Sequence, residues 1–226
     1  MQSNYLHKPW AEITREERLF CSHLYHHIKD PMETKSFVSW LNQIDSPVKN
    51  EVSFSGFVNN LNLNIEDSWE AGFEVCFYRD FLKSHKIGVK EHRDELVNVV
   101  GEDNVNNLIK RTFDLALFSK DTIVIIEAKA AEGLNMKQFE EFERDSELLS
   151  KIFNYLNIKS PPVIRYVILA KSKYFKSKSF RTPKGIGKIK LIDTQGKDQC
   201  KVNALISWEQ LHSFKNDPVW NRAEEC

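Results

Sequence analysis

Three charged side chains, Asp114, Glu127 and Lys129, interrupt the otherwise apolar stretch FDLALFSKDTIVIIEAKA, residues 113–130. A buried charge is costly unless it is paired, hydrogen-bonded or bound to a metal, so their presence needs an account. If the stretch is two strands joined by an even-numbered turn centred on Lys120 and Asp121, Asp114 falls directly across from Glu127. Side chains alternate with period two, which puts Lys129 on the face of Glu127. Carboxylates roughly 5 Å apart across a strand pair raise one another's pKa unless a cation lies between them. Carboxylate oxygens suit Mg²⁺, which binds through one or two of them plus substrate phosphate. A neighbouring lysine can then orient or deprotonate a water, or offset charge on a phosphoryl oxygen. An odd-numbered turn would slip the register and send Asp114 to the opposite face. The structural alternative is a salt bridge in which Lys129 neutralises one carboxylate at a strand end.

The elements that must position these residues can be read from periodicity. Thr14 and Glu17 fit a capping box opening a helix through ITREERLFCSHLYHHIKD, which Pro31 stops. A second helix is predicted over KSFVSWLNQI, followed by a loop through FVNNLNLN. The spacing of Trp69, Phe73, Cys76, Phe77 and Phe81 predicts one long amphipathic helix over DSWEAGFEVCFYRDFLKSH. KIGVKEHR reads as a strand and DELVNVVGEDNVNNLIK as a helix or insertion. After the hairpin, a helix is expected over MKQFEEFERDSELLSKIFNYL, a strand over PPVIRYVILAK, and shorter strands at KIKLIDT and NALIS. Hairpin strands apolar on both faces imply a sheet covered by helices on both sides.

The hairpin, with Asp114 and then IVIIEAK ending in Glu127, Ala128 and Lys129, resembles the PD-(D/E)xK, restriction-endonuclease-like nuclease superfamily. Phe113 stands where the family usually has proline. The resemblance spans roughly residues 66 to 212 in the order of its elements. It implies an α/β fold: a restriction-endonuclease-like core with a central mixed β-sheet flanked by helices, carrying a helical N-terminal extension. The division expected is residues 1–60 for that extension, serving dimerisation or target recognition, and 61–226 for the nuclease-like domain. By the same resemblance Asp114 and Glu127 would be ligands of Mg²⁺, with Mn²⁺ able to substitute. The Ala128 carbonyl would be a third ligand, and Lys129 would position the attacking water. Such nucleases often carry another acid on the preceding helix. Glu70 and Glu74 are the choices, and Glu74 is preferred because Asp67 and Glu70 read as a capping box. Gln138 opens QFEEF, similar to the superfamily's QxxxY helix with Phe142 at the tyrosine position; Asn135 with Gln138 is also a capping arrangement. Asp145 reads as a solvated charge.

In ALISWEQL, Ser207 and Gln210 read as helix caps and Trp208 as core. From residue 171 to 190 the chain holds eight Lys or Arg and no acid, with Tyr174, Phe175 and Phe180 interleaved. Lys171, Lys173, Lys176, Lys178, Arg181 and Lys184 are therefore candidates for holding a phosphate backbone, the aromatics for stacking on unpaired bases. A soluble surface loop is the bland alternative. His23 and His27 stand four apart on a helix, a spacing that can hold a metal, but the sequence supplies no third ligand.

Bulk properties set the outer limits. The 226 residues are 41% hydrophobic and 28% charged, ordinary globular composition with formal charge zero. That removes an overall basic signature without removing a local one. Cys21, Cys76, Cys200 and Cys226 form no CxxC pair, so neither a zinc site nor a disulfide framework is indicated. No signal-peptide core or long apolar run is present, and a cytoplasmic protein with DNA as partner and no membrane association is expected, the oligomeric state staying open between a monomer and a homodimer. The function expected is a metal-dependent endonuclease of a restriction, defence or repair type. The alternatives are a nucleic-acid-binding module on the same fold, and a structural interaction protein.

Overall fold

The computed structural model describes residues 17–48, 58–130, 136–176 and 202–225, without the side chains of 136–140 and 143. Two helices come first, α1 (Glu17–Ile28) and α2 (Pro31–Gln43). Asp30 caps α2 by accepting the Met32 N–H at 3.0 Å, and Pro31, which has no N–H to donate, occupies the first helical turn. The proline that ends one helix thus starts the next.

Strand β1 (Glu70–Val75) and helix α3 (Phe77–Ser84) replace the single helix expected from residue 67 onward. The apolar spacing there is compatible with a helix, but the strand gains ladder pairing with its neighbour from Glu70 to Phe73 and again at Val75, so tertiary pairing overrides periodicity. The strand expected in KIGVKEHR is absent: residues 89–92 form turns leading into α4 (Arg93–Val100), and Gly101, at φ 89°, breaks α4 from α5 (Glu102–Lys110). The hairpin is β2 (Phe113–Phe118) and β3 (Thr122–Lys129). Then follow α6 (Met136–Tyr155), β4 (Val163–Ala170), the short α7 (Ser172–Phe175), β5 (Val202–Ser207), a 3₁₀ turn over Glu209–Ser213, and α8 (Val219–Glu225). The expected strand KIKLIDT lies outside the described residues.

The five strands form one mixed sheet in the order β1-β2-β3-β4-β5, antiparallel from β1 to β3 and parallel from β3 to β5. A parallel neighbour requires a crossover, and α6 is the one between β3 and β4. Alternate residues of the strands supply two cores. Leu117, Val124, Ile126, Ala128 and Leu169 lie in one with Phe20, Leu24 and Phe37 of α1 and α2 and with Trp208 and Trp220. Ala116, Ile125, Tyr166 and Ile168 lie in the other with Leu82, Leu96, Leu108, Phe142 and Ile152 of the helices α3 to α6. The N-terminal helices therefore share a core with the sheet. Among the described residues, no helix is long and apolar enough to cross a membrane.

Candidate active site

The site is built where the hairpin ladder ends. Leu115 pairs with Ile126 and Phe118 with Ile123, which is the even-numbered register. Ser119 closes the turn: its N–H donates to the Thr122 carbonyl at 2.9 Å and its hydroxyl accepts the Thr122 N–H at 3.1 Å. One step beyond the Leu115–Ile126 pair, that register brings Asp114 opposite Glu127. Asp114 reaches across the gap, its Oδ2 accepting the Ala128 N–H at 3.0 Å. The Ala128 N–H is thereby tied to Asp114.

Glu127 and Lys129, at 6% and 9% exposure, are buried at the C-terminal end of β3. Lys129 Nζ lies 3.2 Å from Glu127 Oε1, and the Arg111 guanidinium lies 3.8 Å from Glu127 Oε2. Burial, followed by the Asp114 charge, raises the Glu127 pKa to about 6 against the opposing pull of Lys129 and Arg111. For Lys129, burial is the largest single influence and acts downward. Glu127, Glu17 and Asp114 together outweigh it and hold the ammonium above its ordinary pKa. Lys129 is therefore a cation near neutral pH, able to donate hydrogen bonds but unsuited to abstracting a proton. Its position is fixed from behind: Trp208, fully buried, donates its indole N–H to the Lys129 carbonyl at 3.0 Å.

Glu17, the first described residue of α1, belongs to this site and was missed from sequence, where a capping role accounted for it. Its Oε2 accepts the Ala130 N–H at 3.1 Å and lies 3.6 Å from Lys129 Nζ. Burial first, then the Asp114 charge, raises its pKa, against Lys129 and the Ala130 N–H. No local pattern could have revealed it, because its partners are more than a hundred residues away.

Glu74 sits on β1 rather than on a helix. The β1–β2 ladder pairs Phe73 with Leu115 and Val75 with Phe113, skipping Glu74 where it would face Asp114. Glu74 takes φ 50°, uncommon for a side-chain-bearing residue, and its carboxylate meets Arg18 of α1 at 2.8 Å. Glu70, at the start of β1, is exposed. Gln138 falls within α6, but its side chain lies outside the described residues; Phe142 is buried against Tyr166. Asp145 is not a solvated charge. At 1% exposure it takes Arg111 Nη2 at 3.0 Å and the Tyr78 hydroxyl at 3.0 Å. Ser207 and Gln210 cap one another reciprocally: the Ser207 N–H donates to Gln210 Oε1 at 2.9 Å and the Gln210 N–H to Ser207 Oγ at 3.3 Å.

Of the basic stretch, Lys171, Lys173 and Lys176 lie on and beside α7, with Lys173 and Lys176 exposed. Lys178, Arg181 and Lys184 lie outside the described residues. His23 and His27 both approach Asp217 Oδ2, at 3.6 and 2.8 Å, linking α1 to the segment before α8.

The donor set can be tested against a divalent ion on its chemistry. Glu17, Asp114 and Glu127 surround one ammonium, with Arg111 shared with Asp145, so the cluster carries more negative than positive charge. Among the described residues, no group of three or more His, Cys, Asp or Glu side chains is arranged to hold a metal ion. The opposed carboxylates are a pair, and a pair suffices for Mg²⁺ when waters and substrate phosphate complete its shell. The residues present fit such an ion.

No family model, curated protein or solved structure matches this chain.

Proposed function

We propose that the chain is a cytoplasmic, Mg²⁺-dependent nuclease on a restriction-endonuclease-like core, hydrolysing phosphodiester bonds in DNA as an endonuclease of a restriction, defence or repair type. The observation that carries this reading is the even-numbered hairpin register, which sets Asp114 opposite Glu127 with Lys129 beside them at the open end of the ladder. Asp114 and Glu127 would hold the divalent ion, Mg²⁺ or Mn²⁺. When bound, the ion supplies Lewis-acid stabilisation of phosphoryl charge and makes a water more acidic. Lys129, held as a cation, donates to the attacking water and offsets charge developing on the phosphoryl oxygen. Glu127 must be ionised to act as a ligand, so ion binding strengthens as pH rises through about 6. Two copies of the chain would serve to cut both strands.

One observation favours a second reading, a structural or non-cleaving binding module: both Glu127 oxygens already have cations within 4 Å, Lys129 and Arg111. Incubating the protein with single-stranded, duplex and branched DNA in Mg²⁺, Mn²⁺ or EDTA separates the two. Cleavage is expected with either metal, none in EDTA, and a loss of about 10²-fold or more in Asp114→Asn and Lys129→Ala. Metal-dependent cleavage undiminished in both variants would remove the site assignment, and DNA binding without cleavage would favour the second reading.

A further inference from the structure

Beside the carboxylates a cavity of about 330 Å³ opens between α1, α5 and α6, with Arg18, Lys110, Arg111 and Arg144 in its lining. Arg111 is the shared wall: it lines the cavity and also lies 3.8 Å from Glu127. Two carboxylates, Glu141 and Asp145, face the same space, so the four cations outnumber the acids. Arg111 is committed to Asp145 and Arg18 to Glu74. Lys110 and Arg144 are not: among the described residues neither side chain has an ion-pair or hydrogen-bond partner.

A lone surface lysine contributes little, and the C-terminal end of α5 favours a cation at Lys110 in any case. That explanation does not extend to Arg144, which comes from the middle of α6. Cations from two helices that have no partner among the described residues, set in a concavity walled by the half-buried Arg111 guanidinium, focus positive potential on whatever enters it. Guanidinium and ammonium groups suit a phosphate.

We infer that this cavity grips a phosphate of the DNA backbone next to the one presented to Asp114 and Glu127. The inference rests on the nuclease reading for the polymer that fills the cavity, but not for the anion chemistry. It assigns DNA binding to Lys110 and Arg144, away from the basic stretch that begins at Lys171.

The test is fluorescence anisotropy with a short labelled DNA duplex in EDTA over a salt series, comparing the wild type with Lys110→Glu, Arg144→Glu and the double variant. Lys159→Glu, on the exposed loop beyond α6, is the control. Each cavity variant should weaken binding and make the slope of log affinity against log salt shallower by about 1, with the double variant losing about 2. Lys159→Glu should leave the slope unchanged, and thermal melts should show all the variants folded. Unchanged slopes in folded cavity variants would overturn the inference, as would wild-type protein that binds no duplex. So would a loss of inorganic phosphate binding with duplex binding intact, since that would make the ligand a free anion. Metal-dependent cleavage with unchanged slopes would remove the cavity role and leave the nuclease reading standing. Altered slopes without cleavage in Mg²⁺ or Mn²⁺ would do the reverse.

Discussion

Two buried charge clusters sit side by side at the end of the hairpin, and they are balanced differently. Around Asp145, one carboxylate meets one guanidinium and one phenol. Arg111 and Tyr78 satisfy it, while burial first and then the Asp145 charge push the Tyr78 hydroxyl well up in pKa, so that it remains a donor. Around Lys129, one ammonium serves Glu17 and Glu127 and feels Asp114 as well. The first cluster is closed in hydrogen bonds, as a structural ion pair must be when water is excluded, while its Arg111 also lies 3.5 Å from Glu141 and 3.8 Å from Glu127. The second sets three carboxylates around one ammonium and the Arg111 guanidinium it shares with Asp145, an imbalance that the proposed divalent ion would offset. The difference lies in stoichiometry, because both clusters are buried and both contain a conventional salt bridge.

Substitutions should separate the clusters, the largest effect coming from the closed one. Asp145→Ala leaves the Arg111 guanidinium without its main partner and should cost about 3–5 kcal/mol in denaturant unfolding. A loss within the range of ordinary surface changes would remove the claim that this pair is structural. At the open cluster the sign should differ. A divalent ion that binds only the folded chain should stabilise the wild type by about 2.7 kcal/mol at a hundredfold excess over its Kd. Asp114→Asn should abolish that gain in Mn²⁺ thermal melts. Without metal, Asp114→Asn should be as stable as the wild type or more so, because asparagine still accepts the Ala128 N–H and removes a like charge. A large metal-free destabilisation would make the open cluster structural too.

The pH dependence sharpens the same contrast. Glu127 titrates at about 6 in the folded chain against 4.5 for an unperturbed glutamate, so between those values the fold binds more protons than the unfolded chain. Its contribution is fully present below about pH 4.5 and is lost as pH rises through about 6. Glu127→Gln should remove that component of the falling stability, measured by melts across the interval. If the wild-type and variant profiles run parallel, Glu127 does not carry the shift. The smallest effect is expected for Glu17→Gln, which keeps the acceptor for Ala130 and weakens only the 3.6 Å contact with Lys129. It should change stability by less than about 1 kcal/mol.

Much of the hairpin was legible because its information is local. Ser119 to Thr122 fix the turn, the turn fixes the register, and register fixes which strand residues oppose one another. The reciprocal caps of Ser207 and Gln210 and the buried Trp208 were equally local. The failure at residues 67–85 came from a stretch whose apolar spacing suits a helix while its first half forms a strand against β2. Asp145 failed for a related reason: it sits among charged neighbours in a helix, and only Arg111 and Tyr78, from other elements, reveal it as buried.

Strand alternation and turn length are short-range constraints, so the residues alone marked out the hairpin and, for an even-numbered turn, the opposition of Asp114 to Glu127 with Lys129 alongside; that the turn is even-numbered came from the folded ladder, where Leu115 pairs with Ile126. Long-range packing is what gives Lys129 to Glu17 of α1, joins this site through Arg111 to the pair at Asp145, and lines a cavity beside it with Lys110 and Arg144. These relations depend on how helices dock on the two faces of the sheet. Docking is set by the summed burial of both cores, and no local pattern records which distant charge it brings to a strand end.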